Sequence, residues 1–271
     1  MQKTKVGSVQ VIALVDNIQP YAATAVYPEA GDDLQQYSHY FDAEGRVALN
    51  FACFVCIDAD TTLLVDTGFG PEYSGRLLDE LAEAGVELAS VKHILFTHLH
   101  GDHTGWNMDR ATGKPLFPNA TYLVPKGDWD HYRAQKPKPE SFVRDVEPLQ
   151  AMKRMDLVDG ERSISWALTA VPTPGHTPGH TSVAISSGGE RGFILGDVVI
   201  SPVDAEDITL ANAFDWDNAI ARATREATVP RLVRENALVG ASHLPAPGLG
   251  RFVSAEGRTG WQAIPASVQG G

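Results

Sequence analysis

The chain has 271 residues, with 22 Lys and Arg against 34 Asp and Glu and a formal net charge of −12. At 43% hydrophobic and 21% charged it has the composition of a globular protein, long enough to bury a sizeable core. The acidic balance, with no cluster of Lys and Arg, argues against a nucleic-acid partner, because neutralising phosphates takes a basic face.

Apolar alternation and β-branched runs predict strands near 8–15, 51–57, 62–66, 92–97, 120–124, 167–171, 181–186 and 193–196. The first residues run straight into the first strand, with no apolar stretch ending in a small-residue cleavage site, so a cytoplasmic protein is expected. No apolar run reaches the ~18 residues of a membrane helix. Cys53 and Cys56 are three apart in a predicted strand, which points them to opposite faces. They read as buried core thiols, neither a disulfide nor half of a zinc site.

Helical periodicity covers 73–85, where Leu77, Leu78 and Leu81 share a face and Gly85 is a plausible stop. A second helix is expected over 126–134. A third starts near Asp217 and runs through Ala219, Ile220 and Ala223, with Pro230 expected to kink or interrupt it before Leu232 and Val233. Segments 135–140 and 201–216 read as loops. Neither is a linker, because the motifs below lie on both sides of each. The whole of 1–271 reads as one domain of α/β (α+β) class, with strands packed as two sheets and helices outside.

The strongest chemical signal is Thr97-His98-Leu99-His100-Gly101-Asp102-His103-Thr104-Gly105, directly after the apolar Ile94-Leu95-Phe96. In an extended segment residues i, i+2 and i+4 share a face, so His98, His100 and Asp102 can converge. Gly101 and Gly105 would let the chain turn tightly and bring His103 in. Three imidazoles and a carboxylate at this spacing suit a divalent Zn, Mn or Fe ion. Asp197 follows another apolar strand, whose end can present a carboxylate to the same edge. His39, His93 and His131 lie outside every motif and read as structural or solvated.

The pattern His98-x-His100-x-Asp102-His103 resembles the signature of the metallo-β-lactamase superfamily. Further blocks extend the likeness along nearly the whole chain. They are Leu64-Val65-Asp66-Thr67-Gly68, Thr173-Pro-Gly-His176-Thr-Pro-Gly-His180, Leu195-Gly196-Asp197 and Gly240-Ala-Ser-His243-Leu-Pro-Ala-Pro-Gly248. The last block, with Phe117-Pro118-Asn119-Ala120, is most similar to the branch containing methyl parathion hydrolase. The resemblance implies an αββα sandwich, two mixed β-sheets flanked by helices. It implies that His98, His100 and His176 hold one metal, that Asp102, His103 and His243 hold a second, and that Asp197 bridges them. It also implies that Asp66 and His180 stand behind the ligands, Asp66 orienting an imidazole or fixing the Gly68 turn. Asp102 and Asp197 would be the carboxylates nearest the chemistry.

The activity implied is that of a binuclear hydrolase, in which a hydroxide bridging two divalent metals, most simply zinc with Mn or Fe open, cleaves a lactone, carboxylic ester or phosphotriester. No Gly-x-Ser-x-Gly elbow is present for an alternative nucleophile. Candidate pocket residues are Trp106, Phe69, Phe214 and Trp216, and also Trp129, Phe142 and Phe252. Trp106 stands first because it follows the metal motif. Several aromatics near a metal favour an uncharged, moderately hydrophobic small molecule. Competing readings are a mononuclear iron persulfide dioxygenase, a glyoxalase II-like thioesterase, a β-lactamase and a non-enzymatic metal-stabilised binding module. The complete second ligand set argues against the first, and the short stretch after His243 against the second. The expected partner is a small molecule, with a homodimer open and neither nucleic acid nor membrane involved.

Overall fold

In the computed structural model, which describes residues 1–255 and 257–265, the strands form two seven-stranded sheets. The first sheet takes β1 (Gln2–Val6), β2 (Val9–Ala22), β3 (Arg46–Asp58), β4 (Thr61–Val65), β5 (His93–Leu95), β6 (Thr121–Pro125) and β7 (Met155–Val158) in that order. Neighbours are antiparallel from β1 to β4 and parallel from β4 to β7. The second sheet takes β8 (Arg162–Ser163), β9 (Leu168–Pro172), β10 (Thr181–Ser187), β11 (Glu190–Gly196), β12 (Leu238–Ala241), β13 (Leu249–Ala255) and β14 (Arg258–Ala263). Its β11–β12 pair is parallel and the other pairs are antiparallel. The helices are α1 (Ala23–Val26), α2 (Leu77–Ala84), α3 (Gly101–Thr104), α4 (Lys126–Ala134), α5 (Glu147–Ala151), α6 (Pro202–Glu206) and α7 (Asn218–Arg234).

Period-two alternation sorts the strand residues into layers. Val11, Ala13, Phe54, Cys56, Leu63 and Val65 of the first sheet pack between the sheets against Leu168, Ala170, Val183, Ile185 and Ile194 of the second. Their neighbours Ile12, Leu14, Cys53, Val55, Leu64 and Ile94 face outward, under Leu77 and Leu81 of α2 and Trp129 and Tyr132 of α4. On the far side Phe193, Leu195, Val239 and Ala241 lie under Val229 and Leu232 of α7. The result is the αββα sandwich. Cys53 and Cys56 are free, buried and in different layers, as their spacing requires.

Several elements differ from expectation. α2 starts at Leu77 because Pro71–Tyr73 forms a separate 3-10 turn and Ser74 is left-handed at φ 56. α7 continues through Pro230 without interruption, carrying Val229 and Leu232 on its packed face. Segment 201–216 is not all loop. Ser201 Oγ accepts the Val203 N–H and the Asp204 carboxylate accepts the Ser201 N–H, a reciprocal cap that starts α6. The 3-10 run Gly31–Tyr40 was not foreseen. Its Leu34 and Tyr37 pack with Leu49, Ile200 and Val203, joining the first sheet to the segment after β11. Among the described residues no helix is long and apolar enough to cross a membrane.

Candidate metal centre

The segments leaving β4, β5, β11 and β12 emerge at the same end of the sandwich, where the β9–β10 connection also turns. The chain stays extended to His100 and then winds into α3. This corrects the strand-alternation reading. A helical turn sets Asp102 beside His103 and His243 rather than on one face with His98 and His100. The glycines act differently too. Gly105 has a right-handed conformation, and a Cβ there would stand 2.1 Å from the Phe69 carbonyl carbon. It is a close-approach residue that lets the motif pack against 69–70.

Two groups of side chains form. His98 Nε2 lies 2.9 Å from His100 Nδ1, which lies 3.0 Å from His176 Nε2. Asp102 Oδ2 lies 3.3 Å from His103 Nε2 and 3.6 Å from His243 Nε2. Asp197 Oδ2 stands between the groups. It is 3.7 Å from His98 Nε2, 3.3 Å from His176 Nε2, 3.4 Å from His103 Nε2 and 2.9 Å from His243 Nε2.

The outer nitrogens define the tautomers. His103 Nδ1 donates to Asp66 Oδ2 at 2.9 Å, and His243 Nδ1 donates to the Asn50 carbonyl at 2.7 Å. His176 Nδ1 donates to Asp215 Oδ1 at 3.2 Å. His98 Nδ1 meets Thr97 Oγ1 at 3.0 Å, and that hydroxyl is committed as donor to Asp66 Oδ2 at 2.8 Å. In the neutral, metal-ligating form all four imidazoles therefore turn a bare Nε2 inward. Inward nitrogens and oxygens about 3 Å apart repel unless a proton or a metal cation lies between them. His103 Nε2 and Asp197 Oδ1 are buried without a hydrogen-bond partner. Unsatisfied buried polar atoms beside a converging donor set fit metal binding. Together the two groups could hold two ions.

The local field agrees. Burial opposes charge on Asp197, yet His243, His103 and His98 hold its carboxyl well below the usual range. Burial likewise opposes charge on His103, but Asp197, Asp102 and Asp66 together hold its pKa well above the ordinary value. Burial, then the neighbouring His176, pushes His100 down to about 3.

His180 presents no free nitrogen. Its Nε2 accepts the Asp197 N–H at 3.0 Å, and its Nδ1 donates to Thr173 Oγ1 at 2.9 Å. It holds the backbone of Asp197 in place. Asp66 combines three bonds, to His103 Nδ1 and to the N–H and hydroxyl of Thr97. Two buried carboxylates escaped the sequence reading. Asp128 accepts the Leu99 N–H at 3.0 Å and the Gly179 N–H at 2.6 Å, tying the two histidine loops together. Asp215 holds His176. Neither sits in a recognisable motif.

A cavity of about 410 Å³ opens over the centre. His100, Asp102, His176, Asp197 and His243 form its polar side, and Tyr21, Leu49, Phe51, Phe69, Ile200 and Phe214 its apolar wall. Phe69 and Phe214, both candidates from the sequence, are among these lining residues. Trp106 is not. Its indole N–H donates to Asp16 Oδ1 at 2.9 Å and its ring packs against the core under α2. Trp216 is 51% exposed and lies beside His131, outside the lining. Trp129 and Phe142 are core residues beneath the first sheet, and Phe252 belongs to the layer under α7. Tyr21 and Leu49 were missed because β2 and β3 extend beyond their predicted strands, and Phe51, inside a predicted strand, was read only as a strand residue.

Residues 49–243 match the metallo-beta-lactamase superfamily, and the chain belongs to it. Within that class, it is similar over 97% of both chains to AidC, a dizinc quorum-quenching lactonase solved with N-hexanoyl-L-homoserine as product, at 25% identity and a TM-score of 0.85. The hydrolase AbOPH gives 27% identity, 97% coverage of both chains and a TM-score of 0.85. The N-acyl homoserine lactonase AttM of Rhizobium radiobacter is 27% identical over 125 residues, 44% of each chain. The chain spans about half the length of the curated relatives it matches.

Proposed function

We propose that this protein is a metal-dependent hydrolase that uses two divalent ions, most simply zinc, to open a lactone or cleave a carboxylic ester with an apolar acyl part. His98, His100 and His176 would hold one ion, Asp102, His103 and His243 the other, and Asp197 both. The observation that carries this reading is the position of Asp197 Oδ2, within 3.7 Å of an imidazole nitrogen from each group. Two ions there would activate water and polarise the substrate oxygen.

The remaining work falls to the chain. Asp66, Asp215 and the Asn50 carbonyl aim the imidazoles, so little reorganisation accompanies the reaction. Leu49, Phe51, Phe69, Ile200 and Phe214 offer a wall that excludes water and suits a hydrocarbon chain better than a charged group. The lactonase title carried by AidC, a structural relative over 97% of the chain, supports the same substrate class. A phosphotriester also fits the donor set, but the wall gives it no added preference.

The test couples metal analysis to a substrate panel of lactones, aryl esters, phosphotriesters and β-lactams. The expected outcome is two metals per chain, loss of turnover with a chelator, recovery with Zn or Mn, and highest kcat/KM on acylated lactones or esters. One metal per chain at full activity, or turnover that a chelator leaves intact, would overturn the proposal.

A further inference from the structure

The carboxylate behind His176 is itself anchored on its far side. Asp215 Oδ2 accepts from Arg225 Nη1 at 2.8 Å and from Asn212 Nδ2 at 3.1 Å. Arg225 is 1% exposed on α7, and its other N–H groups donate to the carbonyls of Ile208 at 3.2 Å and Leu210 at 3.0 Å. A guanidinium offers donors alone, so the atom at 215 that faces it must be an acceptor. Backbone bonds close the arrangement. The Trp216 N–H donates to the His176 carbonyl at 3.0 Å and the Asp217 N–H to the Gly175 carbonyl at 3.1 Å. Asp215 can neither rotate away nor exchange its partners freely.

We propose that Asp215, anchored by Arg225, is a positioning residue that locks His176 in its Nδ1–H tautomer and thereby keeps the Nε2 lone pair available to a metal. The proposal rests on the two-metal reading above. It makes an unusual demand on substitutions. In Asp215→Asn the amide oxygen must face the donors Arg225 and Asn212, leaving the amide NH₂ to face His176 Nδ1. Nδ1 then has to be bare, and the proton moves to Nε2, where it points at the metal position. In Asp215→Ala no donor faces Nδ1. A water can accept from it and the ligating tautomer survives. Alanine, however, leaves the buried Arg225 without its carboxylate and opens a void, so it harms the fold more than the near-isosteric Asn.

The two variants should therefore rank in opposite orders for metal affinity and for stability. The experiment strips wild type, D215N and D215A of metal, titrates each with Zn²⁺ against a chromogenic chelator, and records Co²⁺ absorption spectra and Tm. Expected are two ions in wild type and a loss of about 10–100-fold in affinity at one site in D215N, with an altered Co²⁺ spectrum. D215A should lose less affinity than D215N while melting at a lower temperature. Wild-type affinity in D215N, or a larger loss in D215A than in D215N, would overturn the tautomer lock while leaving the two-metal reading intact. A wild type that binds no metal would overturn both.

Discussion

Asp197 Oδ2 and His243 Nε2 lie 2.9 Å apart, while the other nitrogen of His243, Nδ1, donates to the Asn50 carbonyl. The contact is favourable only with positive charge at it, supplied by a second imidazole proton or, in its place, by a metal ion. It shows why the carboxylate that belongs to both groups should matter more than any single imidazole. Asp197→Asn removes the shared charge while keeping shape. Hydrolysis should fall by more than about 100-fold, and metal content should drop below two per chain. Thermal unfolding of the metal-free variant should stay close to that of the metal-free wild type. Activity that survives the change would exclude a bridging role for Asp197.

The residue before it is equally constrained. Gly196 has φ 62, and a Cβ there would stand 2.7 Å from His180 Nε2 and 2.8 Å from Thr97 Cβ. Gly196→Ala therefore displaces the histidine that holds the Asp197 backbone. It should cost about 1–3 kcal/mol of stability and reduce turnover as well, read by denaturant unfolding and kcat. A variant with native stability would show that β11 can shift without loss.

Burial pushes the carboxyl of Asp204 up to about 6, against the pull of Arg225. The folded protein therefore holds this proton more tightly than the unfolded chain, where the group titrates near 3.8. Its contribution is present in full below about pH 4 and is lost as pH rises through the folded value, a change of about 1–3 kcal/mol. Asp204→Asn retains an oxygen for the Ile200 and Ser201 N–H groups but carries no titratable proton. Unfolding free energy of variant minus wild type should rise between about pH 4 and pH 7 and then level off. A difference that stays flat across this interval would contradict the raised pKa.

The apolar wall separates from the core aromatics in a fourth comparison. Phe214 lines the cavity and is 38% exposed, so Phe214→Ala should leave folding nearly unchanged. It should raise KM for a long-chain acyl lactone by about tenfold, with a smaller effect on a short-chain one. Trp106→Phe should do the reverse. Loss of the indole bond to the buried Asp16 should cost about 1–3 kcal/mol of stability, with KM little changed. If Trp106→Phe altered KM and Phe214→Ala did not, the assignment of the wall would be wrong.

Much of the site was legible because its parts are local. His98, His100, Asp102 and His103 lie within six consecutive residues, and His176, Asp197 and His243 each follow or interrupt an apolar run that reads as a strand. The paired spacing of Cys53 and Cys56 also carried directly into two separate layers. What supports these residues was not legible. Asp128, Asp215 and Arg225 are ordinary charged residues in sequence, and their significance comes from segments far along the chain that meet them. Trp106 shows the converse. Nearness in sequence to the metal motif suggested the pocket, but the side chain turns to Asp16, 90 positions earlier.

The sequence by itself determined the layered fold, the family and the set of polar side chains at the centre. Strand alternation and short-range motif spacing depend on backbone geometry that neighbouring residues share. The tertiary structure alone decided that a helical turn rather than strand alternation carries Asp102 to His103 and His243, that His180 holds backbone, which partners the outer imidazole nitrogens meet and which aromatics face the cavity. Those outcomes depend on hydrogen-bond partners and packing surfaces brought together from distant elements. The direction of a side chain is set by what it meets there.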